Sequence, residues 1–279
     1  MRLFQAVEQS RWNLALPEGA RQMMGLQGSP RAQRSWLQRW LQTEPKLGER
    51  VIRWSNSPLF NLSRQFSQLQ QVLAVLGEQQ TMRLALLASI RTRFLPNLRI
   101  QSYAREQLWR HSVAVGAVSG LVARVCNVPD HQTAFVAGAL HDVGLLASER
   151  ADPNAFANLL GELDALTDTA ATERHRYGWD HQVLGAQLLR RWGFQQSICD
   201  VARFHHQAHR GAEAEDEQLL YCVVVADYLC SRCGWTELGL HNIAQPADSV
   251  FNKLGIDHAC LTILWKQLYA TLEHTRPFI

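Results

Sequence analysis

The sequence predicts an all-α protein, and three observations carry that expectation. Apolar residues recur at three- and four-residue spacing along nearly the whole chain, as on the buried faces of amphipathic helices. No convincing run alternates apolar and polar residues as a half-buried strand would. Helix breakers fall between the periodic segments: Pro17, Gly28-Ser29-Pro30, Ser57-Pro58 and Pro96. The 279 residues are 47% hydrophobic and 19% charged, which excludes a disordered chain, a fibre and a disulfide-dense miniprotein. The length allows one large domain or two of ordinary size.

In chain order, Pro17 suits the first turn of a helix running to about Gln27. Residues 31–42 carry a stripe of Trp36, Leu37, Trp40 and Leu41. Helices are expected next over 45–55 and 64–77, and then over 79–95, where Leu84, Leu86, Leu87, Ile90 and Leu95 are apolar and Pro96 ends the run. A long helix spans about 103–126. Further helices are expected near 130–147, 152–166, 180–192, 195–208, 215–231 and 257–274.

Net charge is +3, but it is unevenly spread. Residues 1–100 hold 14 basic side chains against 5 acidic ones and no Asp, while residues 101–279 are net acidic. The likeliest seam lies near 96–101. Val113–Ala123, the longest uncharged apolar stretch, is too short to span a bilayer, which needs about 20 residues. The early Glu8 and Arg11 leave no signal-peptide core, so a cytoplasmic protein is expected. Cys126, Cys199, Cys222 and Cys260 read as small core residues. Cys230 and Cys233 form a lone CxxC, read as reduced thiols near a helix end or as weak evidence of zinc or redox chemistry.

All eleven histidines lie beyond residue 100, several on apolar helix faces. His111 shares a face with Leu108, Val115, Val118 and Val122. His141-Asp142 sits within an apolar helix from Phe135 to Leu146. His181 follows Asp180, a plausible N-cap, and His205-His206 end a helix. Asp227 lies on the inward face of its helix between Val224 and Leu229. A single buried histidine is more often a hydrogen-bonded core residue than a ligand. A buried carboxylate must be paired, neutralised or metal-bound. Seven such groups on five helices favour a metal, because imidazole and carboxylate suit borderline divalent ions and bundled helices can aim them at one point.

The order His111, His141-Asp142, His181, His205-His206, Asp227 resembles the HD superfamily of metal-dependent phosphohydrolases, and more closely the HDOD (HD-related output domain) family of bacterial signalling. The blocks that carry the likeness are Leu16-Pro17, Pro45-Lys46-Leu47-Gly48, Arg53-Trp54-Ser55-Asn56-Ser57 with Phe60, and Leu69 to Gly77. They continue with Leu108 to Ser112, Gly138 to Gly144, Glu173, Tyr177 to His181, Val183 to Ala186, Leu188-Leu189, Trp192 and His205-His206. The resemblance covers about 14–210. It implies a multi-helix, HD-domain-like bundle with a basic N-terminal helical lobe (1–100), a metal-site lobe (101–212) and a C-terminal extension (213–279) completing that lobe.

By the same resemblance His111, His141, Asp142 and Asp227 would hold one metal. Asp142, His181, His205 and His206 would hold a second, with Asp142 bridging. The expected cofactor is one or two ions of Fe, Mn, Ni or Zn. Glu173 reads either as an acid near a helix N-terminus or as a carboxylate near the metals, supporting a ligand or serving as a further one. His131, His175, His209, His241, His258 and His274 receive no role. Related cyclic-di-GMP phosphodiesterases carry a Lys three residues after the HD aspartate and a Gly-Tyr-Pro loop. Here that place is Leu145, and the chain after the HD helix reads Ser148-Glu149-Arg150-Ala151-Asp152-Pro153.

Two functions follow. One is a signal-transduction module with a metal site that acts by binding a protein partner or a nucleotide. The other is a phosphohydrolase on a nucleotide or cyclic dinucleotide, with Asp142 and His141 at the reacting centre. A third reading makes the histidines mere core residues. Nucleic-acid binding is not expected, because the basic residues of the first lobe are scattered among helices.

Overall fold

The helix starts follow from local chemistry in the computed structural model, which describes residues 14–26, 28–163, 168–239 and 244–279. Helix α1 is Glu18–Gly25; α2 (Pro30–Thr43) and α3 (Pro45–Ser55) each begin on a proline, whose missing N–H costs nothing in a first turn. Helix α4, Leu69–Ile90, opens with a reciprocal cap between Gln68 and Gln71. A two-residue hairpin, β1 (Arg99–Ile100) with β2 (Tyr103–Ala104), leads into the 21-residue α5, Arg105–Val125. Helices α6 (His131–Leu140), α7 (Val143–Ala151), α8 (Pro153–Leu160) and α9 (Thr169–Tyr177) follow. The last five are α10 (His181–Arg191), α11 (Gln196–Phe204), α12 (Glu217–Arg232), α13 (Asp248–Leu254) and α14 (His258–Glu273). Asp130, Asp152, Asp168, Asp180, Asp216 and Asp257 each accept a backbone N–H at an N-cap.

Several sequence expectations need correction. The segments read as helices 64–77 and 79–95 do part near residue 77 within α4, but the first begins only at Leu69. Gly77 (φ 78°, ψ 170°) breaks the geometry of α4 midway, and a 3-10 turn from Arg91 to Phe94 replaces its last turn. The expected helix 130–147 is two helices, parted at His141-Asp142, so the doublet sits at a junction and not inside a helix. The hairpin, α9 and α13 were not anticipated. The expected helix 152–166 ends at Leu160, and its last residues, 164–166, lie outside the described set, as do Gln27 and His241. Cys126 and Cys260 are only half-buried; the first caps the end of α5 and the second lies in the first turn of α14.

Helix α5 is the axis of the fold. It packs on α6, α12 and α14, while α7 lies on α10, α10 on α11 and α3 on α4. One apolar cluster runs from Leu14 to Phe278 through both charge-contrasted regions. Trp109 of α5 meets Trp54 of α3 (ring centroids 6.1 Å) and Phe94 (5.0 Å), and Phe278 lies 4.8 Å from Trp54. Trp109 Nε1 donates to the Phe278 carbonyl at 2.9 Å, and Trp192 Nε1 to the Leu14 carbonyl at 2.8 Å. A buried ion pair, Arg105 to Glu149 at 2.7 and 2.9 Å, ties α5 to α7.

Two glycines set the close approaches behind the histidine cluster. A Cβ on Gly138 would lie 2.6 Å from Ser119 Oγ and 2.8 Å from the Gly116 Cα, so α5 and α6 cross in near contact. A Cβ on Gly144 would overlap the His181 carbonyl, so only glycine lets α7 meet the start of α10. No helix of the described residues is long and apolar enough to cross a membrane.

Candidate metal centre

The seven residues singled out in the sequence converge. His111 comes from the second turn of α5, His141-Asp142 from the α6–α7 junction, His181 from the first position of α10, His205-His206 from the end of α11 and Asp227 from α12. His111, His141, Asp142, His181, His205 and Asp227 are each at most 4% exposed, whereas His206 is exposed at the rim.

Four of the imidazoles share one arrangement. Each Nδ1 faces an acceptor: the Trp235 carbonyl for His111 (2.8 Å), Gly138 for His141 (2.7 Å), the Glu173 carboxylate for His181 (2.6 Å) and Ala202 for His205 (3.0 Å). A ring that donates from Nδ1 presents a lone pair at Nε2. All four Nε2 atoms are buried without a hydrogen-bond partner, as are Asp142 Oδ1, Asp227 Oδ1 and Glu237 Oε2.

Asp142 stands at the centre. Its Oδ2 lies 3.3 Å from His141 Nε2 and 3.6 Å from His111 Nε2; its Oδ1 lies 3.2 Å from His205 Nε2 and 3.6 Å from His181 Nε2. Asp227 Oδ1 is 3.4 Å from His111 Nε2. Ligand atoms of Asp142, His181, His205 and His206 lie within 4.8 Å of one another, and so do those of His111, His141 and Asp227. The carboxylate thus offers one oxygen to each of two donor groups.

The electrostatics call for positive charge. Burial disfavours the imidazolium of His141, but the adjacent Asp142 carboxylate outweighs it and pushes the pKa up to about 9. At His181 burial is likewise outweighed, chiefly by Glu173, and the value rises to about 10. Burial lowers His205. Burial would raise Asp142, yet the surrounding histidines hold it well below the usual carboxylate range. Unpartnered nitrogen and oxygen lone pairs, buried and convergent, fit a divalent ion.

Glu173 lies against the start of α10. It is the fifth residue of α9 and accepts both the backbone N–H (2.9 Å) and Nδ1 (2.6 Å) of His181, fixing that ring's orientation. Three nearby acids have other partners. Glu149 pairs with Arg105, Asp152 caps α8, and Asp180 caps α10 and pairs with Arg174, so none of the three serves the cluster. Leu145, where the phosphodiesterases have Lys, is 1% exposed in the core.

Sequence reasoning missed Glu237. It follows α12 in the loop whose Trp235 carbonyl holds His111, and its Oε2 lies 3.8 Å from His111 Nε2. Burial pushes its pKa up to about 7, with His111 opposing and Asp142 and Asp227 reinforcing. Its loop has no helical periodicity, so nothing local marked it as inward-facing. Cys230 and Cys233 join none of the candidate metal-holding groups among the described residues.

Comparisons with known proteins identify the fold and the family. Solved structures with the same fold include a provisionally named phosphohydrolase from Shewanella amazonensis SB2B (18% identity, TM-score 0.75, 99% of this chain and 98% of that one). Another is an HDOD domain protein of unknown function from Geobacter sulfurreducens (22%, 0.73, covering 95% and 93%). A third is a provisionally named signal transduction protein from Marinobacter aquaeolei VT8 (20%, 0.74, covering 98% and 63%). No curated protein matches the chain. The HDOD domain family matches residues 14–208, well over half of the sequence, and the chain belongs to that family.

Proposed function

We propose that the chain is a signalling module whose buried centre holds one or two ions of Fe, Mn, Ni or Zn, and that it acts by binding a protein partner or a nucleotide. The observation that carries the reading is the set of four imidazoles whose Nδ1 atoms are engaged and whose buried Nε2 atoms converge on Asp142. His111, His141, Asp142 and Asp227 form one ligand set, and Asp142, His181, His205 and His206 the other. The donors are nitrogen and oxygen without thiolate, which suits these metals. Exposed Arg31 and Arg39 on α2 belong to the basic lobe and support docking of an acidic protein surface there.

A second reading, metal-dependent phosphoester hydrolysis, is favoured by the two-sided placement of Asp142. Two bound divalent ions would supply Lewis acidity toward a phosphoryl group and lower the pKa of a water molecule. The chain's own part would be to bridge through Asp142, place His141 beside it and hold His181 through Glu173. Leu145 supplies no cation for a substrate phosphate, which weighs against cyclic-dinucleotide cleavage.

Metal analysis of purified protein, after Fe, Mn, Ni and Zn have each been offered, tests the first point. Uptake of one to two equivalents is expected; below roughly 0.2 equivalents, the ligand assignment is abandoned. Metal-dependent turnover of a panel of cyclic dinucleotides, nucleotides and phosphodiesters, lost in Asp142→Ala, would replace the binding-module reading with the enzymatic one.

A further inference from the structure

The loop after α12 is built onto the metal centre at several points. Gly234 (φ +80°) turns the chain, and Trp235 N–H returns to the Cys230 carbonyl at 3.0 Å. The Trp235 carbonyl faces His111 Nδ1 at 2.8 Å, and Arg110 covers the Trp235 ring at 5.3 Å. The Thr236 carbonyl accepts from Gln107 Nε2 at 3.3 Å. Thr236, Glu237 and Leu238 are 2%, 9% and 1% exposed. This loop is pinned to the helix that carries His111, so the position of Glu237 is fixed by the same contacts that orient that ligand.

Glu237 Oε2 is buried and has no hydrogen-bond partner. It lies 3.8 Å from His111 Nε2, and its ligand atom falls within 4.8 Å of those of His111 and Asp142. Among the described residues, no Lys or Arg pairs with it. Asp142 and Asp227 share the space, so three carboxylates meet around His111. Like charges buried together require a cation between them or a proton on one of them.

We propose that Glu237 is a ligand of the ion held by His111, His141, Asp142 and Asp227, and that it closes that ion's coordination. His111 belongs both to the group with Asp142 and Glu237 and to the group with His141 and Asp227, so up to five protein donors face this inner ion and leave it few open positions. The outer ion, at Asp142, His181, His205 and His206, has four protein donors and an exposed rim at His206, so it keeps positions for a ligand. The centre is therefore asymmetric, with one closed and one open ion. Glu237 lies beyond residues 14–208, where the family match ends. The inference rests on the metal-centre reading.

Equilibrium dialysis of full-length wild type, Glu237→Gln and Glu237→Asp against Co2+ alone, with visible absorption of the loaded proteins, tests it. Glu237→Gln is expected to weaken one of two ions by more than about 10–100-fold, the loss typical when only a group supporting a ligand is removed. The other ion should keep its affinity, the absorption of the weakened ion should change, and Glu237→Asp should fall between. Thermal melts add a signature that a packing role would not give. Glu237→Gln removes a carboxylate that a cation would hold, so it should lower the melting temperature of loaded protein and leave that of chelated protein unchanged or higher. If wild type binds Co2+ and both variants match it in affinity, spectrum and melting, Glu237 is not a ligand and the metal-centre reading stands. If wild type takes up no Co2+, or any of the other metals offered, the reading and the inference fall together.

Discussion

Asp142 is the residue on which the centre turns, because its two oxygens face different histidine pairs. Replacing it with alanine removes a ligand from both sets. Loss of both ions is expected, measured as metal equivalents per chain; retention of the wild-type content would show that Asp142 does not bridge. Asp130 offers a separate test away from the metals. It caps α6, accepting Thr133 N–H (3.0 Å), Thr133 Oγ1 (2.6 Å) and Arg83 Nη2 (2.7 Å). Burial would raise its pKa, but these partners together lower it. A depressed carboxylate contributes stability above its unfolded value of about 3.9, and that contribution is lost as pH falls through the folded value. Asp130→Ala should cost about 1 kcal/mol of unfolding free energy at pH 7 in urea titrations, and the gap between variant and wild type should narrow as pH falls below the unfolded value of about 3.9. The candidate site was largely legible at this scale, since apolar neighbours marked His111, His141 and Asp227 as inward-facing. Glu237 was not, because its burial comes from tertiary contacts of an aperiodic loop.

Among the elements, the α6–α7 junction shows why pattern alone misplaced a boundary. From Phe135 to Leu146 every residue but the doublet is apolar or glycine, so periodicity reads one helix. The break follows from the tertiary demand that His141 and Asp142 point into the cluster while α7 turns toward α10. Gly144 makes that turn feasible, and a methyl group there would strike the His181 carbonyl. Gly144→Ala should destabilise the fold by about 1–3 kcal/mol, the usual cost of overpacking, and should also weaken the ion held by His181. A drop in melting temperature without loss of metal affinity would detach the close contact from the site. The missed α9 has the opposite cause: its mean character is polar, its buried residues are only Ala170 and Glu173, and so it carries no apolar stripe to read. The two-residue strands of the hairpin are too short for alternation to register.

Across the whole molecule, the charge contrast near residue 100 does not interrupt the core. The aromatic group of Trp54, Phe94, Trp109 and Phe278 lies across that line, and Ser57 Oγ donates to the His274 carbonyl at 2.6 Å. Phe278 is 1% exposed. Phe278→Ala should therefore cost about 3–5 kcal/mol, as for other buried aromatic truncations, seen as a lower urea midpoint with the slope unchanged. An effect under about 1 kcal/mol would mean that the seam is held elsewhere. The same contacts constrain how the protein is made. Trp54 is synthesised more than 200 residues before Phe278, so at ribosomal rates of about 5–20 residues per second the early helices wait about 10–45 s with an incomplete apolar face. Nascent chains stalled short of residue 278 should therefore be a substrate for chaperones, and chains released past it should not.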